Sequence, residues 1–206
     1  MSVTSYLRCR YQSNCYGSIV TAMTDPTGRA PAPGPLRLVQ EFVNTLDAEE
    51  GEDLLAHPDT FSAWLQEHGL AATGPRHGDR DIAEATELRE ALRALLRVNA
   101  GDDPDPAATA VVNRMCARAP VRVELGADGT AALHGAGIVG AVLAAAGTAM
   151  LDGTWGRLKA CVDPGCGWAF YDRSRNRSGQ WCDMAVCGSR HKVRAYRSRQ
   201  RGTLSP

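Results

Sequence analysis

CVDPGCGWAFYDRSRNRSGQWCDMAVC, residues 161–187, holds four of the chain's seven cysteines. They form two pairs, Cys161/Cys166 and Cys182/Cys187, with four residues inside each pair and fifteen between the pairs. Structural zinc takes four sulfur or nitrogen ligands, and paired cysteines on a tight turn bring two in together. Pro164 and Gly165 favour such a turn. Trp168, Phe170 and Trp181 offer a minimal apolar core, too little for about thirty residues to fold unaided. Metal binding supplies the deficit, roughly 10–16 kcal/mol in apparent terms for zinc-finger peptides. The alternatives are unmetallated thiols or a redox switch. A switch needs only two sulfurs, so two matched pairs point to one Zn2+ per chain on Cys161, Cys166, Cys182 and Cys187. Between the pairs, GWAFYDRSRNRSGQW is expected to fold back as a hairpin.

The stretch GSRHKVRAYRSRQRG after Cys187 reads as a helix, capped by Ser189 and ended by Gly202. Arg190, Arg194, Arg197 and Arg201 follow i, i+4, i+7, i+11 and make one stripe, which Lys192 and Arg199 broaden. Val193 and Tyr196 are expected to pack back onto the module. Arg173, Arg175 and Arg177 alternate, so on a strand they would point the same way. Arginine suits bidentate contacts to phosphate and guanine edges. A zinc site would thus hold a basic hairpin and a basic helix rigidly enough to dock on phosphate. The formal charge of zero hides this: residues 155–206 carry eleven Lys/Arg against three Asp, a net of +8, and residues 1–154 a net of −8. The competing reading is a solvated basic face that offsets the acidic half.

Outward from there the chain turns helical. Leu36, Val39, Phe42, Val43 and Leu46 fall on one stripe. HPDTFSAWLQEHGL follows, with Asp59 or Thr60 as cap. In RDIAEATELREALRALLRVNAG, Ile82, Ala85, Leu88, Leu92 and Leu95 face inward, and Glu84, Glu87 and Glu90 mark a solvated face. DDPDP opens a helix through Ala117, with Val111, Val112 and Met115 inside and Cys116 as a small buried hydrophobe. VRVELGADGTAALHG alternates about a DG turn and predicts a hairpin. GIVGAVLAAAGTAMLDG is an apolar helix. The expected fold class is a mostly α N-terminal domain with a small β-hairpin (α+β) over 35–152, then a small zinc-binding ββα-like module over 155–201. Residues 1–34 read as an extension, with Cys9 and Cys15 as bystanders, and a mobile Pro/Gly/Ala linker.

The segment 161–199 resembles the CGNR-type zinc finger, whose pattern runs FxDxSrNrsRRWC, Met, Cys-Gly-Asn-Arg and a basic helix. FVNTLD at 42–47, DLL at 53–55, AWL at 63–65 and ELREALRALL at 87–96 resemble the ABATE domain that usually precedes it. The resemblance implies a bacterial, stress-responsive transcription regulator that binds DNA and whose N-terminal domain senses a small molecule. It carries the zinc ligands to the four cysteines and the motif arginine to Arg190. Two positions depart: Ser189 replaces the Asn, and Gly179-Gln180 replace the basic pair before Trp-Cys.

Asn44 and Asp47, polar residues beside an apolar stripe, are the candidates for binding an effector. No phosphate loop, nucleophile elbow or metal-spaced histidine pair supports an enzyme. No apolar run approaches the ~20 residues of a membrane span, and no secretion signal opens the chain, so a cytoplasmic location is expected. A single module has a small footprint, which suits a homodimer. The alternative function is a zinc-stabilised RNA-binding or protein-interaction module without an operator, in which Trp168, Tyr171 and Trp181 would stack on bases.

Overall fold

The computed structural model describes residues 28–70, 78–119 and 121–202, with side chains as far as residue 200. In chain order come α1 (Leu36–Val43), β1 (Leu46–Asp47), β2 (Glu52–Asp53), α2 (Pro58–Glu67), α3 (Asp79–Ala100) and α4 (Pro106–Arg118). Then follow β3 (Val121–Leu125), β4 (Ala131–Gly135), α5 (Gly137–Leu151), a 3-10 turn (Trp155–Arg157), β5 (Leu158–Ala160), β6 (Ala169–Tyr171), a π-helical turn (Met184–Gly188) and α6 (Ser189–Gly202). Among the described residues the strands form three antiparallel pairs, β1–β2, β3–β4 and β5–β6. Mostly helical with small strand pairs is the class the sequence predicts.

Apolar periodicity explains the main helices. Leu36, Val39, Phe42 and Val43 bury one side of α1, and Ala85, Leu88, Leu92 and Leu96 bury one side of α3. Helix α3 stops at Gly101, whose φ of 113° lies where a side chain is strained. Asp105 caps α4 by accepting from Ala108 N at 2.9 Å. Small residues let α5 approach its neighbours closely. A Cβ on Gly135 would sit 2.0 Å from the Gly140 carbonyl oxygen, so β4 and α5 touch backbone to backbone. Leu46 belongs to β1 rather than α1, and α2 starts at Pro58, with His57 as its N-cap. Cys116 is exposed, because Met115 takes the inward position on α4.

Two further features depart from expectation. Residues 28–34 are no mobile linker: Ala32 is buried in the core, and its N–H donates to Gln40 Oε1 at 2.7 Å. The expectations for residues 1–27, including Cys9 and Cys15, lie outside the described residues. The second departure is the β5–β6 pair, in which Leu158 faces Tyr171, Lys159 faces Phe170 and Ala160 faces Ala169. Side chains alternate across a strand. Leu158, Ala160, Ala169 and Tyr171 therefore join the helical core, and Phe170 joins the cysteines on the other side. One small sheet serves as a wall between two interiors. The hairpin thus closes over CVDPGC, and the arginine segment 172–180 is a loop with no strand in it.

Candidate metal centre and basic helix

Two knuckles deliver the thiols. In the first, Asp163 Oδ1 accepts from Gly165 N at 3.1 Å and the Asp163 carbonyl from Cys166 N at 3.0 Å. Cys161 N donates to the Trp168 carbonyl at 2.9 Å, and Gly167 takes a φ of 66°. In the second, Asp183 Oδ1 accepts from Ala185 N at 2.6 Å and Val186 N at 3.1 Å, opening the π-helical turn that contains Cys187. The four Sγ atoms lie within 4.8 Å of one another. Cys166 and Cys182 are 3.5 Å apart, and Cys182 and Cys187 3.7 Å. With Zn–S bonds of about 2.3 Å, a tetrahedron has edges of about 3.8 Å.

The chemistry of the donor set agrees with that geometry. Hydrogen bonds from Cys166 and Cys182 hold the Cys161 thiol far below its usual range, and the same bonds push Cys166 and Cys182 up. Burial raises Cys187. Without a cation, one thiolate is the charge such a cluster accommodates; a divalent ion allows all four to ionise. These residues fit one zinc ion, and its chemistry here is structural, because four protein ligands leave no open position.

The arginine loop is pinned from below. Lys159 and Asp172 are both buried and meet at 3.0 Å. Lys159 Nζ also donates to the carbonyls of Arg177 at 2.5 Å and Gly179 at 3.0 Å, filling all three of its donor positions. Asp172 accepts from Ser174 N at 2.9 Å and Gly179 N at 2.7 Å. Burial works against its charge, but the Ser174 and Lys159 bonds hold its carboxyl far below the carboxylate range. Helix α6 runs straight on from the Cys187 turn. Arg190 donates two hydrogen bonds to Glu49, the longer at 3.1 Å, and Arg194 donates to buried Asp163. Val193 and Tyr196 are about half exposed instead of packed. Arg173 donates to the Pro31 carbonyl at 2.8 Å and lies over the Tyr171 ring. Arg175, Arg177, Lys192 and Arg197 are exposed, and the Arg201 side chain lies outside the described residues.

Family comparison places this geometry. The family model described as "Putative stress-induced transcription regulator", ABATE, matches residues 36–153. The CGNR zinc finger model matches residues 157–200. The chain belongs to the ABATE family. No curated protein matches it.

Within the ABATE segment, the two candidate effector residues do other work. Asn44 Nδ2 donates to the Ala169 carbonyl at 2.9 Å, and Ala169 N donates to Asn44 Oδ1 at 2.7 Å. Both ends of the amide act as an added strand edge for β6. Asp47 Oδ1 accepts from Glu49 N at 2.9 Å and Glu50 N at 3.1 Å, shaping the turn that presents Glu49 to Arg190. In the CGNR segment, Ser189 lies inside one helical run, and Asp183 supplies the cap expected of it. Gly179 suits its place: a Cβ there would come within 2.9 Å of Asp172 Oδ2. Lys159, Asp172 and Asp163 were the functional residues that pattern reading missed. The signal was present, since Asp172 and Asp163 are two of only three acids after residue 154.

Proposed function

We propose that this protein is a non-enzymatic transcription regulator that binds duplex DNA through α6 and the arginine loop. The observation that carries the reading is the unbroken run from the ligand Cys187 through the π-helical turn into α6. The metal thereby orients a basic helix that stands exposed along its length. At 100° per residue, Lys192, Val193 and Tyr196 lie away from His191, which meets Trp181, and from Arg194, which meets Asp163. That outer face would enter the major groove, with Val193 against thymine methyls and Lys192 on guanine or phosphate. Arg175, Arg177 and Arg197 would contact the backbone. Arg190 and Arg194 set the helix angle through Glu49 and Asp163.

The RNA alternative needs exposed aromatics. Phe170 and Tyr171 are buried and Trp168 and Trp181 half-buried against the thiol cluster, which favours core packing over base stacking for these four. For an effector, a cleft of about 410 Å³ beside Arg29, Tyr171, Arg173, Gln180 and Trp181 is the better candidate than Asn44. Its size falls in the small-molecule range, and its two guanidiniums favour a small organic anion.

The test is selection of random duplexes by the zinc-loaded chain at ~150 mM salt, followed by anisotropy titrations. An enriched motif is expected, with Tyr196→Ala and Val193→Ala relaxing it. Arg197→Ala should weaken all duplexes alike and lower the salt slope by about one. Sequence-blind binding that vanishes with salt would overturn the operator reading.

A further inference from the structure

We infer that β3 is a homodimerisation edge: two copies of this chain join through antiparallel β3–β3 pairing about a two-fold axis at Val123. Among the described residues β3 pairs only with β4, so its other edge carries unpaired backbone groups. Open edges invite strand addition, and proteins usually blunt them with lysine, proline or a bulge. VRVEL has no lysine, proline or bulge; charged side chains also blunt an edge, but Arg122 and Glu124 are opposite in sign and pair rather than repel across a two-fold axis.

Charge and side-chain alternation identify the partner. Val121, Val123 and Leu125 share one face of the hairpin with Leu133, which stands opposite Val123 and packs beside Gly147 of α5. Helix α5 packs chiefly against β4; Val121 still reaches the core, but Val123 is 62% and Leu125 75% exposed. Leu151, at the nearby end of α5, is 82% exposed. Arg122 and Glu124 occupy the other face, where His134 Nε2 reaches Glu124 at 3.5 Å. An isologous interface must be complementary to itself, and this strand is. Centred on Val123, antiparallel pairing sets Val123 against its own copy and Val121 against Leu125 of the second copy. It sets Arg122 against Glu124 of the second copy, twice. The product is a four-stranded sheet whose apolar face runs on from one α5 to the other.

The inference does not depend on DNA binding, and its test needs no nucleic acid. Sedimentation velocity of the full chain from roughly 1 to 100 µM covers the range expected of so small an interface. The parent should shift from monomer to dimer across it. Arg122→Glu sets Glu against Glu124, and Glu124→Arg sets Arg against Arg122, so each variant alone should stay monomeric. Mixing the two single variants restores opposite charges at both positions and should give a heterodimer. The double variant R122E/E124R should dimerise with itself. Rescue of that kind cannot come from altered folding. A parent that is monomeric throughout would overturn the inference, as would single variants that dimerise like the parent or a mixture that fails to associate.

Discussion

The helical region and the metal region each contain a buried ion pair, and the two pairs do different jobs. In the helical region Arg89, 2% exposed, holds Asp53 through contacts of 2.5 and 2.9 Å, while Glu90 and Thr45 take two more of its donors. That pair seats the β1–β2 turn on a core that apolar residues already define. In the metal region Lys159 and Asp172, both buried, hold the arginine loop through its backbone. Removing one partner from a buried pair costs more than the pair contributes over hydrophobic replacements. Backup partners therefore matter: Arg89 has other side chains to hold it, Lys159 has only Asp172 and two backbone carbonyls, and Asp172 adds Ser174 and backbone amides. Charge trims one region and builds the other.

The sharpest way to break this contrast is metal removal. Chelation, or Cys182→Ser, should abolish about 10 kcal/mol or more of apparent stabilisation and unfold residues 161–200. Because β5 and β6 are also core, hydrogen exchange should report faster opening at Val39 and Leu96 as well. Protection there equal to the parent's would show that the two interiors are uncoupled. Cys116→Ser should change nothing. Next in size, Lys159→Ala leaves Asp172 buried without its cation and should cost about 3–5 kcal/mol in urea titrations of the zinc-loaded chain. Asp53→Ala should cost less, about 1–3 kcal/mol, because Glu90 and Thr45 still satisfy Arg89. An Asp53 effect equal to that of Lys159 would erase the distinction.

Response to pH should separate the regions by sign. His68 stacks on Trp64 with ring centroids 3.9 Å apart, and its Nε2 meets Glu41 at 3.0 Å. Burial opposes its charge, but Glu41 and the Trp64 carbonyl hold its pKa above the usual 6.5. A raised folded pKa gives a contribution that is complete below the unfolded value and fades as pH rises through the folded one. Parent stability should therefore fall above pH 6.5 more than that of His68→Gln, a small effect that a Tm series detects. The metal region runs the other way, since falling pH protonates thiolates and releases zinc.

Local patterns carried most of the fold into view. The stripe in α3, the DG hairpin and the paired cysteines each declare themselves within about twenty residues, because helix, turn and knuckle are set by neighbours in the chain. What stayed hidden is non-local. Asn44 meets Ala169 across 125 positions, and Arg190 meets Glu49 across 141. Nothing in FVNTLD says that its amide will finish a strand edge. The arginines of the last segment looked equivalent as a stripe, yet Glu49 and Asp163 single out Arg190 and Arg194 as tethers. Lys159 was invisible for a related reason: a lone lysine between Leu158 and Ala160 reads as solvent-facing until its strand is given a second interior.

The joint at Cys187 also makes the metal a fulcrum. Helix α6 has 14 residues, and at about 1.5 Å each such an arm reaches roughly 21 Å. A tilt of roughly 10° at the thiolate swings the far end by about 3.6 Å, close to the ~3.4 Å step between stacked base pairs. Metals with other bond lengths would re-aim this arm only by stretching its ties from Arg190 to Glu49 and from Arg194 to Asp163.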